Sequence, residues 1–449
     1  MAKRLRLSEL HCLHVRVFSL AFPMVLSNIT VPLLGLVDAA VIGHLDHAWY
    51  LGGVAVGSTM IAVAFWLLGF LRMATTGLTA QAYGANDKPG LANVFLQGIS
   101  LAWLLALAII ALHPLIADGV FSYSDASTEV KRYAEQYFSV RIWSAPAALT
   151  NLVVMGWLLG AQNAKKPMTL LIVVNVINIV LDVLFVVVLG WKVQGAAAAS
   201  VIADYSGMAL GLYFVAQRWQ SEGLPSPVAQ WKKASAGMGR LLKLNRDIFL
   251  RSLCLQLAFT FMTFQGATLG DDVVAANAVL MNFLMLVSFA MDGFAYAMEA
   301  MVGKAVGARN RNELMDSLVA TTFWSLLISL LITCAFLLWG EGIVGIISDI
   351  PAVREQAFIY LPWLIAMPLV AMWCFLLDGV FIGATRGREM RNTMFVAMAG
   401  FFAIWWSLSG FGNHALWAAM LGFMALRGLT LGALFVYQWR RETFLSAVH

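Results

Sequence analysis

The sequence predicts an all-α integral membrane protein, with twelve transmembrane helices in two pseudo-symmetric six-helix bundles, on three observations. The first is composition: of 449 residues, 61% are hydrophobic and 12% charged, with a mean hydropathy of +0.80, against about 25% charged in soluble domains. Apolar runs of about 20 residues fill nearly the whole chain, the length of a helix crossing a hydrocarbon core roughly 30 Å thick, whereas barrel strands would give short alternating segments. The second is the placing of basic residues. With spans at 17–43, 50–80, 91–115, 133–160, 167–189, 195–217, 244–268, 273–303, 314–338, 357–384, 392–410 and 414–438, basic residues such as Arg16, Lys88, Lys165, Arg218, Lys304 and Arg388 collect on one side. Only Lys131, Arg132, Lys192 and Arg354 fall on the other. By the positive-inside rule the crowded side is cytoplasmic, and both termini lie there. The third is an internal repeat: GWLLGAQNAKKPMT from Gly156 echoes GVFIGATRGREMRNT from Gly379, and LTAQAYGAND from Leu78 echoes MVGKAVGARN from Met301. An even helix count per half gives both repeats the same orientation, the layout of carriers whose substrate site lies near mid-membrane.

The division follows from the one long hydrophilic stretch. Residues 1–217 form the N-terminal six-helix lobe, 218–243 a cytoplasmic linker, and 244–449 the C-terminal lobe. The start, MAKRLRLSELHCLHVR, has no cleavage pattern of a secretory signal, so the first helix doubles as the insertion signal. The first span carries Asp38 between two apolar flanks, with Pro23 and Pro32 as candidate kinks. A carboxylate at that depth costs at least about 2.5–3.5 kcal/mol and faces a cavity or a partner; a proline frees a carbonyl that neighbours must satisfy. In the fourth span Tyr137 and Arg141 share a face. In the fifth, Asn175, Asn178 and Asp182 fall three and four residues apart, hence on one face. In the sixth, Ser200 and Asp204 do the same. Counted from the basic ends, these groups reach a common depth in the outer half of the N-terminal lobe.

Two acids sharing a poorly solvated site resist joint ionisation, which favours one bound proton or one small cation. Asp38, Asp182, Asn178, Ser200 and Tyr137 are the candidate coupling residues, with Asn175, Asp204 and Arg141 as a supporting polar pocket. Amide and hydroxyl oxygens equally suit sodium at Asp38, Asn178 and Asp182, so the residues leave proton and sodium open. The competing reading is a hydrogen-bonded network that only holds helices together. In the C-terminal lobe, Arg251, Asp292, Glu299, Asp378 and Arg427 sit in the middle or inner parts of their spans and read as charge pairs, structural or gating, as Arg72 and Arg141 read as partners for carboxylates.

Several classes are excluded. The net charge of +5 and pI near 9.0 have no soluble domain to serve for nucleic acid, so they mark topology. Cys12, Cys254, Cys334 and Cys374 show no paired spacing for disulfides or zinc. No nucleotide loop, HExxH or Ser/His/Asp arrangement is present, so the chain is not read as an enzyme, no cofactor is expected, and transport must draw on an ion gradient. The 22 Met, 28 Phe and 16 Trp residues suit varied apolar cations, though most of them face lipid or pack the bundle.

The run SNITVPLLGLVDAAVIGHL from Ser27, LRMATTGLTAQAYGA from Leu71, and RSLCLQLAF with VVAANAVLMNF in the second half resemble the multidrug and toxic compound extrusion family, in particular its DinF branch. The resemblance implies a rocker-switch antiporter that exports amphipathic, cationic compounds for protons, with sodium used by some members. It implies that protonation of Asp38 bends the first helix at a proline and collapses the N-terminal cavity. It matches Asn178 and Asp182 to the fifth-helix members of that site, Tyr137 to a fourth-helix member, and Ser200 to a position where some relatives carry threonine. The acidic C-terminal-lobe site of the NorM branch has no recognisable counterpart: the seventh span lacks a glutamate, and Asp378 is not at the expected spacing. The expected protein is a monomeric, multi-pass carrier of the bacterial inner membrane, in contact with lipid and with no nucleic-acid partner. Its alternatives are a flippase for lipids or lipid-linked precursors, a sodium-coupled antiporter and, from another class, a polytopic membrane enzyme.

Overall fold

With no water inside a bilayer, each peptide group must find its partner within the chain, and helices do this locally. The structure, a computed structural model, describes residues 7–43, 45, 47–122 and 127–445, without the side chains of residues 7–10, 31, 33–36, 38, 39 and 236. About nine-tenths of the chain is helical, with no strand among the described residues. In order, the helices are α1 (Leu7–Gly43), α2 (Ala48–Leu67), α3 (Phe70–Gly84), α4 (Lys88–Ser122), α5 (Thr128–Arg141), α6 (Ala145–Gly160), α7 (Lys165–Asp182), α8 (Lys192–Glu222) and α9 (Pro227–Ala234). They continue with α10 (Met238–Ala267), α11 (Asp271–Gly307), α12 (Arg311–Ile347), α13 (Pro351–Gly383), α14 (Gly387–Ser407) and α15 (Asn413–Arg440). α2 with α3 and α5 with α6 are single spans in two pieces, and α9 lies in the linker, so the chain makes the twelve spans of the fold. Among the described residues, eleven helical stretches are long and apolar enough to cross a membrane on their own; α14 completes the set, diluted by Arg388, Glu389 and Arg391 near its start.

The breaks have local causes that hydropathy does not register. Gly69 closes a tight turn between α2 and α3, its N–H bonding the Trp66 carbonyl at 3.0 Å. Pro146 has no N–H to offer the Ile142 carbonyl, and the chain tightens into a 3₁₀ turn over Ile142–Ser144 just before it. The fifth span departs from the expected regular helix: after Asp182 it widens into a π-helix over Val183–Val188. α1 stays helical through both Pro23 and Pro32.

The chain divides into two compact units, Leu26–Leu242 and Met1–Val25 with Lys243–His449, called here the N-unit and the C-unit. The division falls inside α1. Its first part belongs to the C-unit, where Arg16 meets Glu313 at 3.4 Å, Lys304 meets the same carboxylate at 3.0 Å, and Trp324 Nε1 donates to His14 Nδ1 at 2.9 Å.

Within each unit the sequence echo becomes a backbone echo. In the N-unit, α6 lies against α3 so closely that a Cβ on Gly156 would stand 2.5 Å from the Arg72 carbonyl oxygen, and one on Gly160 2.7 Å from that of Thr76. In the C-unit, α13 lies against α11 with the same register: a Cβ on Gly379 would meet the Ala295 carbonyl at 2.7 Å and one on Gly383 that of Glu299 at 2.6 Å. The chain also turns at matching places. Asn86 and Arg309 hold φ of 53° and 52°, and Gln162 and Thr385 hold 67° and 54°, the left-handed region that side-chain-bearing residues seldom visit. Each pair occupies the same position of its repeat.

Candidate functional site

The polar groups of the N-unit lie where span geometry carries them inward. On α7, Asn178 and Asp182 are buried one turn apart, Asp182 at 1% exposure, while Ser200 is buried on α8. Asn178 Nδ2 donates to Ser200 Oγ at 2.9 Å, a bond across the two helices. The other face of that amide is an acceptor: Asn178 Oδ1 is buried and has no hydrogen-bond donor among the described residues. One turn earlier, Asn175 Nδ2 donates to Thr30 Oγ1 of α1 at 2.7 Å. The fifth span is thus tied to both the first and the sixth by amide-to-hydroxyl bonds. Asp38 lies on α1, but its side chain is outside the described residues.

An apolar layer sits one turn further on. Ile42, Val186, Ala196, Ala197 and Tyr137 belong to one buried cluster, together with Tyr50, Val54 and Val193. Ile42 follows position 38 by four residues, Val186 follows Asp182 by four, and Ala196 precedes Ser200 by four. All three positions therefore lie about one helical turn from a shared seal. At its edge Lys192 Nζ donates to the Tyr50 hydroxyl at 3.0 Å and stands 5.0 Å from the ring centroid, with Tyr133 packed on the same ring.

Arg141 and Asp204 form a second cluster. Arg141 Nη1 meets Asp204 Oδ2 at 2.7 Å, bonds Ser144 Oγ, and stacks over the Phe65 ring. Asn151 Nδ2 donates to the Asp204 carbonyl at 3.1 Å. Ser200 and Asp204 share a face of α8 but serve different partners: the serine joins Asn178, and the aspartate is neutralised. Arg72 is buried and reaches toward Thr76 Oγ1 at 3.5 Å.

The C-unit builds a different polar core. Arg251 of α10 and Arg427 of α15 both bond Asp378 Oδ2 of α13, the second at 2.6 Å. All three side chains are buried. Phe423 and Phe375 flank the Arg427 guanidinium, and Asp292 of α11 is near enough to act on it electrostatically. Glu299 is buried on α11, with its carbonyl against Gly383. Among the described residues no group of three or more His, Cys, Asp or Glu is placed to hold a metal ion.

Thr30, Ser144, Asn151 and the Lys192–Tyr50 pair were not distinguishable from ordinary helix residues in the sequence.

Two repeats on one helical frame, each with buried charge in an otherwise apolar bundle, are the layout of repeat-built membrane carriers. The MatE family model matches the chain twice, over residues 23–184 and 248–404, once in each repeat. DNA damage-inducible protein F of Escherichia coli (strain K12) is 48% identical over 95% of this chain and 93% of its own length. Among solved structures, one described as MATE in complex with MaL6 superposes with a TM-score of 0.85 at 19% identity, covering 97% of each chain. Another, an outward-facing conformation of a multidrug resistance MATE family transporter, gives 0.84 at 21% identity and 96% coverage of each. The chain belongs to the MatE family of multidrug efflux transporters, whose members are integral membrane carriers of small organic compounds and not enzymes.

Proposed function

We propose that the chain exports amphipathic, cationic small molecules by proton-coupled antiport, with the coupling site formed by Asp182, Asn178 and Ser200 and completed by Asp38. One observation carries this reading: positions 38, 182 and 200, on three different helices, all stand one turn from the same buried apolar cluster. Acid groups brought to one level beneath a water-excluding layer are held where charge is costly, so a bound proton relieves them. A protonated carboxyl also supplies the donor that Asn178 Oδ1 lacks. A cationic cargo relieves the same acids and competes with the proton, which makes the exchange obligatory. Each proton descending the membrane potential contributes about 2.3 kcal/mol per 100 mV. Tyr137, part of the seal, would report the occupancy of the site to α5, and the two repeats would rock in alternation. The carrier works as a monomer in the bacterial inner membrane with both termini cytoplasmic.

Sodium coupling is the second reading, favoured by the buried oxygen set of Asn178, Ser200 and Asp182. Cationic-dye efflux from proteoliposomes under separately imposed proton and sodium gradients decides between them. The proton gradient alone should drive efflux, and Asp38→Asn and Asp182→Asn should each abolish it. If Asp38→Asn still exports at the wild-type rate under a pH gradient, the coupling assignment is wrong.

A further inference from the structure

The linker helix α9, PVAQWKKA, has two unlike faces. One is fastened to the N-unit: Gln230 Nε2 donates to Asn93 Oδ1 at 2.9 Å, and Gln97 Nε2 of α4 donates to the Ala234 carbonyl at 2.6 Å. Gln230 and Ala234 are buried there. The other face carries Val228 and Trp231, 80% and 51% exposed, one turn apart and so side by side. Lys232 and Lys233 follow at once, both exposed.

The height of α9 is also fixed. Only residues 223–226 separate it from the end of α8, and Trp219 Nε1 of α8 donates to the Pro225 carbonyl at 3.0 Å, folding the link back on the helix it leaves. α9 packs beside Asn93 and Gln97, which lie in the first three turns of α4. That helix, at 35 residues, is longer than the roughly 20 needed to span the hydrocarbon. α9 therefore lies alongside the beginning of a spanning helix, the end that starts at Lys88.

A short helix held at that level, with a valine and a tryptophan on its free face and two adjacent lysines, has the chemistry of an in-plane anchor on an anionic bilayer. Tryptophan prefers the interface because its ring is apolar and its N–H is not. We infer that α9 is a membrane-surface anchor, with Val228 and Trp231 seated in the interface and Lys232 and Lys233 on anionic phospholipid headgroups.

The test uses the full chain with Cys12, Cys254, Cys334 and Cys374 replaced, reconstituted into vesicles of phosphatidylcholine with and without phosphatidylglycerol. Nitroxides are placed singly at Val228, Trp231 and, as an aqueous reference, Glu222. With phosphatidylglycerol present, the labels at 228 and 231 should be relaxed more by lipid-soluble oxygen than by a water-soluble nickel chelate, and the label at 222 the reverse. Lys232→Gln with Lys233→Gln should remove the difference between the two vesicle types. Labels at 228 and 231 as open to the nickel chelate as the reference would overturn the inference. So would labels shielded from both relaxants, since that reports a covering protein. Dye efflux by each labelled variant confirms that the chain is folded.

Discussion

α1 with α7 and α10 with α14 are the same pair of spans in the two repeats, and they are joined by opposite chemistry. In the N-unit, Asn175 bonds Thr30, and the turns beyond carry Asn178 and Asp182. In the C-unit, Phe261 of α10 packs edge-on against Phe401, Phe402 and Trp405 of α14 at 5.0–5.9 Å. The frame is shared, down to the left-handed residues at its turns, but an aromatic joint holds no proton and releases none. The buried acid of the C-unit sits on α13 instead, against two arginines. A carboxylate fixed by two guanidiniums is already neutralised; Asp182, on the coupling reading proposed above, is the acid that exchanges its proton. Duplication supplied the scaffold twice, and the ionisable chemistry differs between its copies.

The largest expected effect separates the two joints by function. If the proposed coupling site is right, Asp182→Asn should cut pH-gradient-driven dye efflux by more than about tenfold, because the acid that would carry the proton is gone, while Phe261→Leu leaves the dependence on the gradient intact. A mirror-image result would place coupling in the C-unit. Next comes stability. Asp378→Asn strands two buried arginines, and breaking a buried ion cluster in this way costs about 3–5 kcal/mol, visible as a lower melting temperature of the purified protein. Combining Asp378→Leu with Arg251→Met and Arg427→Met should restore most of it; failure to do so would show that the cluster does more than cancel its own charge. A smaller effect tests the shared frame: Gly160→Ala and Gly383→Ala each force a Cβ against a backbone oxygen, and each should cost about 1–3 kcal/mol, by similar amounts. Unequal losses would mean that one repeat is more compliant at its glycine contact. The smallest is Ser200→Ala, which removes the partner of Asn178 and should cost about 1 kcal/mol, with Ser200→Thr close to wild type in a thermal melt.

The spans were legible because lipid leaves the backbone so few choices: runs of apolar residues and the sidedness of lysine and arginine are direct records of the solvent. The register of the repeat was legible for a similar reason, since Gly156 and Gly379 are sites where one backbone touches another and no larger residue fits. Site chemistry was legible only one helix at a time. Spacing put Asn178 with Asp182 and Ser200 with Asp204, but helical period is silent on the rotation of α8 against α5 and α7. Asp204 thus turned to Arg141 while Ser200 turned to Asn178. Thr30 and Asn151 were invisible because a lone hydroxyl or amide in an apolar run gains meaning only from what stands opposite. The π turn left no mark in hydropathy: Val183–Val188 is as apolar as any regular stretch.

That wide turn begins at the residue after Asp182. A π segment holds an excess residue and has poorer hydrogen-bond geometry than the helix around it, so its boundary can creep along the chain by trading one carbonyl partner for the next. Were it to advance one residue toward the amino end, the aspartate would swing by roughly a quarter of the helix circumference, with neither end of the span displaced. A carrier fitted with such a dislocation beside its acid could re-aim that acid locally, with no lobe having to rotate first.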